Sequence, residues 1–284
     1  MGPDGRTIRV ALAKFTESIA QEGNSSLSGV PPASTFVPPS HARALDATVT
    51  LVEGIRGAGK SFWWSALFSE PHLNFAWKNE EHGWVLPNRL ARDEEAQEHI
   101  FISLAGSAMG KGPSGIKRGK PYSWLVNHLV DGRAQVSPHS FLSAIGTAAG
   151  ETAEDFASAL SPRAIQDGVQ QASRIRVDEL IREDYPWIGD LMEPLKGLTV
   201  PCAVEDIAAV WLSNGVLDRL QKSLKGAKTL KLPPRRLEDG PRGVLDDLQE
   251  LGLVQILRDD RVQMPDVYRI AFGLGRRGGV KPLV

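Results

Sequence analysis

Thr48-Val49-Thr50-Leu51-Val52-Glu53-Gly54-Ile55-Arg56-Gly57-Ala58-Gly59-Lys60-Ser61-Phe62-Trp63-Trp64-Ser65-Ala66-Leu67-Phe68-Ser69 is the stretch on which the reading of this chain turns. Val49 to Val52 is a short β-branched, apolar run, the pattern of a buried strand. Gly54 to Ser61 fits G-x-x-x-x-G-K-[ST], and Phe62 to Phe68 reads as an apolar helix. Gly54, Gly57 and Gly59 carry no Cβ atoms, so neighbouring backbone N–H groups can turn toward one centre. The helix start adds partial positive charge at the same place. Lys60 is placed to reach the β- and γ-phosphates of a nucleotide, and the Ser61 hydroxyl to ligate Mg²⁺. The binding set read from the motif is Gly54, Ile55, Arg56, Gly57, Ala58, Gly59, Lys60, Ser61 and Phe62. No Asn-Lys-x-Asp guanine-reading string follows, so ATP is the nucleotide expected. A chance glycine-rich turn is the bland alternative, and the agreement of strand, loop and helix start weighs against it.

Outward from this stretch, the helix after the loop carries Phe62, Trp63, Trp64, Leu67 and Phe68 around most of its circumference, so it is expected to be buried on several sides. Upstream, residues 1–45 read as an extension. Ile8 to Ala20 suits a short amphipathic helix, and Gln21 to Pro39 is rich in Ser, Gly and Pro. Downstream, Asp93 to Glu98 is helical in flavour, Ile100 to Leu104 reads as a second buried strand, and Met109 to Lys120 as a mobile glycine-rich loop. Helices are expected over 122–130, 140–149 and 161–182. The last has Ser161 as N-cap, Pro162 at the first helical position, and Tyr185-Pro186 as its stop.

The last third reads as a separate unit. Val204, Ile207, Ala208, Trp211 and Leu212 recur at helical spacing, then Val216, Leu217, Leu220 and Leu224, then Val244, Leu245, Leu248 and Leu251. Two short strands around Asp259-Asp260 give a hairpin. Three helices followed by a hairpin is the layout of a winged helix.

The chain has 284 residues, 42% apolar and 24% charged, enough to form a core in one large or two ordinary domains. Its formal charge of −1 gives no whole-molecule case for nucleic acid or membrane. Cys202 is the only cysteine, so no intrachain disulfide can form. No apolar run has membrane-span length, and the first residues lack the basic-then-apolar layout of a signal peptide, so a cytoplasmic location is expected. His72, His82, His99, His128 and His139 show no metal-ligand spacing with Cys or further His.

A P-loop ATPase also needs an apolar strand ending in an acid that orders Mg²⁺. Ile100 to Leu104 is followed by Ala105 and Gly106 where acids belong, and Glu205 and Asp206 open a helix. Asp131, after Leu129-Val130, is the best stand-in and joins Lys60 as a candidate catalytic residue. The span from Ser69 to Ile100 is about one βαβ unit of roughly thirty residues, so the sheet is expected to be small. The sequence therefore argues for nucleotide binding more strongly than for hydrolysis.

With these segments in hand, the chain resembles bacterial P-loop ATPases of the AAA/STAND type, whose core is followed by helices and a C-terminal winged helix. More narrowly, it is similar to uncharacterised bacterial ATPases associated with defence or conflict gene clusters. The resemblance rests on Gly54 to Trp64, Tyr122 to Leu129, Ser137 to Leu142, Gly168 to Leu180, Asp184 to Trp187, Gln263 to Ile270 and Gly273 to Pro282. It implies an α/β fold with a small P-loop core over 46–135, a helical lid over 136–200 and a winged helix over 201–284. It also implies that Val37 or His41 lies against the adenine. His139 stands where relatives are expected to carry an arginine that senses the γ-phosphate, and Arg163, Arg174 and Arg176 are alternative sensors. The function expected is a nucleotide-dependent switch acting on a protein partner or on a second copy, with weak or partner-dependent hydrolysis. The alternative is a DNA-binding winged helix on a vestigial core, using Lys228, Lys231, Arg235, Arg236, Arg269, Arg276, Arg277 and Lys281.

Overall fold

The computed structural model describes residues 5–14, 93–110, 112, 114–225 and 231–276. The stretch 48–69, the adenine-side segment with Val37 and His41, and the basic residues Lys228, Arg277 and Lys281 lie outside the described residues. What is described is mostly helical. Helix α1 spans 5–14, α2 Glu94–Ala105, α3 Pro121–Leu129, α4 Pro138–Glu151, α5 Pro162–Glu179 and α6 Pro186–Met192. Strands β1 (Thr199–Val200) and β2 (Cys202–Ala203) lead into α7 (Val204–Ser213), α8 (Val216–Lys225) and α9 (Gly240–Glu250). Strands β3 (Gln255–Ile256) and β4 (Arg261–Gln263), the short helix α10 (Asp266–Arg269) and β5 (Gly275–Arg276) complete it.

Local chemistry sets most of these boundaries. The Ser161 hydroxyl accepts the Ala164 N–H at 3.1 Å with Pro162 at the first helical position, so α5 starts where the sequence predicts. It runs to Glu179, passes through one π-helical turn over Leu180–Asp184, and breaks at Tyr185 before Pro186. At the tip of the β3–β4 hairpin Asp260 holds φ 59°, a left-handed position that aspartate tolerates.

The helical part is centred on α5. Its face Ala164, Gly168 and Ala172 meets Ala144 and Ala148 of α4, all small and all buried. Gly168 is required there, because a Cβ would lie 2.2 Å from the Ala144 carbonyl oxygen. In the C-terminal part, β2, β4 and β3 form an antiparallel sheet in that order, with Cys202 opposite Val262 and Gln255 opposite Gln263. Trp211 and Trp187 are buried, their indole N–H groups donating to the Leu191 and Leu232 carbonyls. The end of the chain returns to the helical part: β5 pairs in parallel with β1, Gly275 opposite Thr199.

Three expectations are corrected. Ile100 to Leu104 is not a strand but the C-terminal half of α2. The Asp93 carboxylate accepts the Ala96 N–H at 3.1 Å, and Glu94 and Glu95 occupy the first turn. Cap and dipole thus outweigh the strand preference of the isoleucines, and Ile100 stands 45% exposed. Met109 to Lys120 contains a 3₁₀ turn at Gly115–Arg118, and Met109 is buried with its N–H donating to the Gly119 carbonyl. Leu212 also leaves the apolar face assigned to it and is 62% exposed on α7.

Candidate functional site

Among the described residues, a cluster of buried ionisable groups forms where α3 and α5 meet the segment 264–276. In a chain written Met264-Pro-Asp-Val-Tyr-Arg-Ile-Ala-Phe272, two opposite charges stand three apart in an otherwise apolar run. Folding into α10 puts both inside. Asp266 is 3% and Arg269 0% exposed. Arg269 Nε donates to Asp266 Oδ1 at 2.6 Å and its Nη1 to the Leu274 carbonyl at 2.9 Å. Arg276 Nη1 joins the same carboxylate oxygen at 3.1 Å. From α3, His128 Nε2 lies 3.4 Å from Asp266 Oδ2.

His128 is fixed by its own helix. Its Nδ1 lies 2.7 Å from the Trp124 carbonyl, which can only accept, and its ring stacks on Trp124 with centroids 3.8 Å apart. Burial holds this imidazole below its ordinary range, and the guanidiniums of Arg276 and Arg269 push the same way. The Trp124 carbonyl and Asp266 oppose them. One carboxylate thereby ties α10 to β5, and it pairs with His128 of α3 only when that imidazole is protonated.

A second group lies beside the first. Tyr268 is buried beside Arg176 of α5. Burial raises its phenol, with Arg176 pulling it back. Arg176 Nη1 is itself buried with no hydrogen-bond partner among the described residues. His139, at the start of α4, lies 3.3 Å from Glu179 Oε1, and that hydrogen bond raises its imidazole against burial and Arg176. His139 is thus already engaged by a carboxylate. Arg163 is exposed and paired with Asp167 at 3.3 Å, and Arg174 is exposed. Of the four sensor candidates, only Arg176 turns into the interior.

Asp131 is buried in the turn after α3. Its Oδ1 accepts the N–H groups of Arg133 and Gln135, both at 2.9 Å, while Val130 and Val136 form a β-bridge across the turn. Gly132 of this turn touches the α9 corner: its N–H donates to the Gly252 carbonyl at 2.7 Å. An open groove of about 480 Å³ follows, lined by Arg133, Arg236, Asp246, Gln249 and Glu250. Its charges are spent on each other. Arg236 binds Glu250 and, at 3.1 Å, Asp247, and Arg133 donates to the Glu250 carbonyl.

The basic residues expected to form a nucleic-acid stripe are dispersed in the same way. Arg269 is buried, Arg276 is paired with Asp266, and Arg235 stands 4.0 Å from Glu250 and Lys231 4.0 Å from Asp184. Nor do the described residues hold an activated nucleophile. Burial, with Asp206 adding to it, pushes the Cys202 thiol up to about 11. No group of three or more His, Cys, Asp or Glu suited to a metal occurs among the described residues, and no described helix is long and apolar enough to cross a membrane. The Asp266 assembly escaped the sequence reading. Its one legible signal was the aspartate–arginine pair three apart in an apolar run, because the histidine comes from α3. No family model, curated protein or solved structure matches the chain.

Proposed function

We propose that this protein binds ATP with Mg²⁺ and acts as a nucleotide-dependent switch on a protein partner or a second copy of itself, with hydrolysis weak or supplied with help from that partner. The observation that carries the reading is the sequence Gly54 to Ser61 between a strand pattern and an apolar helix pattern. Gly54, Ile55, Arg56, Gly57, Ala58, Gly59 and Phe62 would line the phosphates with backbone, Lys60 would meet the β- and γ-oxygens, and Ser61 would hold the metal. Mg²⁺ bound there neutralises charge on the phosphates.

The switch part of the proposal draws support from the joint at Asp266. A carboxylate shared by α10 and β5, with His128 of α3 3.4 Å away, is a place where a movement of α3 would reach the C-terminal unit. Reading that unit as a winged helix is supported by its order: a strand, three helices, then a hairpin in a β2-β4-β3 sheet. The reading of weak hydrolysis is supported by Asp131, whose Oδ1 is employed by two backbone N–H groups of its own turn. It is also supported by His139, which is engaged by Glu179. Against the DNA-binding alternative stand the acids of α9. Asp246, Asp247 and Glu250 neutralise Arg236 and Arg242, and Arg269 is buried, so the described residues present no continuous positive field to a phosphate backbone.

Lys60→Ala tests the proposal. Calorimetric titration with ATP-Mg²⁺ is expected to show binding to the wild type and at least a tenfold loss in the variant. Equal affinity in the two, or no binding by either, overturns it. Salt-sensitive binding of duplex DNA by the wild type would favour the alternative.

A further inference from the structure

Arg9, on α1, is 6% exposed, and its guanidinium faces only backbone carbonyls among its hydrogen-bond partners. Nη1 donates to Ala153 at 2.7 Å and to Thr152 at 3.4 Å, Nη2 to Phe156 at 3.0 Å and Ser158 at 3.2 Å, and Nε to Ala159 at 3.2 Å. All five oxygens belong to the loop between α4 and α5. Thr152 and Ala153 follow directly on α4, where helix carbonyls lack intrahelical partners and carry partial negative charge.

The loop is shaped by bonds that do not involve Arg9. Thr152 Oγ1 donates to the Ala148 carbonyl at 2.7 Å and accepts the Ser161 N–H at 3.0 Å. Phe156 N–H donates to the Ala153 carbonyl at 3.0 Å, and Leu160 N–H to the Leu104 carbonyl of α2 at 2.9 Å. The helix bearing Arg9 fits closely as well: a Cβ on Gly5 would come within 2.5 Å of the Ala157 carbonyl oxygen.

We infer that the 152–159 loop is a built receptor for one guanidinium group, filled in cis by Arg9, which latches α1 in place together with the packed Ile8, Leu12 and Ala13. The chemistry selects the ligand. Five neutral acceptors arranged about a plane match the five N–H donors of a guanidinium, which is planar and weakly hydrated. An ammonium has three donors and a tighter water shell, and it cannot span the same oxygens. Without its occupant the receptor leaves the Thr152 and Ala159 carbonyls, on buried residues, without this donor, which the fold does not tolerate cheaply. The latch ties the chain ahead of residues 54–61 to the Ser161-Pro162 start of α5.

Chemical rescue in the full-length chain tests this. Arg9→Ala is expected to lower the thermal midpoint by roughly 5 °C. Ethylguanidinium at tens of millimolar is expected to restore at least half of that loss while leaving the wild type unmoved. Ethylammonium at equal concentration is expected to restore none of it. If Arg9→Ala does not fold, the same comparison is read as refolding yield with and without ethylguanidinium. Arg9→Lys, which keeps charge and length, is expected to melt closer to the alanine variant than to the wild type. Absence of rescue, equal effects on variant and wild type, equal rescue by ethylammonium, or a lysine variant as stable as the wild type would each overturn the receptor.

Discussion

Where α4 meets α5 the contact is made of small side chains, and where α3 meets α10 it is made of charges. The first joint uses Ala144, Ala148, Ala164, Gly168 and Ala172, which let two backbones approach until a Gly168 Cβ would touch a carbonyl. The second gathers His128, Arg269 and Arg276 around the one carboxylate of Asp266. The first joint depends on volume and is indifferent to pH. The second depends on charge pairing and contains an imidazole, so it is the one that can report a change of state.

Removing the shared acid is expected to have the largest effect. Asp266→Ala leaves Arg269 fully buried without its counter-charge, and breaking a buried pair in this way costs about 3–5 kcal/mol. Asp266→Asn keeps an acceptor oxygen and is expected to lose less. Urea unfolding of the two variants checks this. If the alanine variant is as stable as the wild type, the joint is ornamental. Gly168→Ala comes next, near the upper end of the roughly 1–3 kcal/mol typical of overpacking, because a backbone oxygen 2.2 Å from the new methyl must move with its helix. Its loss is expected to be the same at pH 5 and pH 8, whereas that of Asp266→Ala is not, and this difference separates the two joints.

The parts of this architecture that rest on local chemistry were legible in the sequence. Ser161-Pro162 starts α5 through a cap made by the side chain itself, and Asp259-Asp260 turns the hairpin because aspartate accepts a left-handed backbone. The second strand misread at Ile100 to Leu104 shows the limit. There β-branched residues argued locally for a strand, while Asp93, Glu94 and Glu95, one turn and more away, decided for a helix. Both charge assemblies were illegible for a different reason. Arg9 meets oxygens about 150 residues along the chain, and backbone carbonyls leave no mark in sequence. His128 reads as a polar residue on a helix until α10 is folded against it. Asp131 was singled out for its place after an apolar run, and the geometry explains its presence there as the acceptor that closes a turn.

The smallest predicted effect uses His128 and His139 as opposed pH probes, the first facing Asp266 and the second bridging α4 to Glu179 of α5 outside the small-residue contact. His128 is held below the ordinary imidazole value of 6.5, chiefly by burial, so the unfolded chain takes up its proton first. Its contribution to stability is complete above pH 6.5 and is lost as pH falls toward the depressed folded value. His139 is raised, chiefly by its bond to Glu179, so the folded chain holds that proton longer. Its contribution is complete below pH 6.5 and is lost as pH rises through the elevated folded value. His128→Gln should therefore flatten the acid side of the stability–pH curve, and His139→Gln the neutral-to-alkaline side. Urea midpoints taken across pH 5 to 8 distinguish them. An acid-side slope surviving unchanged in His128→Gln would mean that this imidazole is not what makes the stability sensitive to protons there.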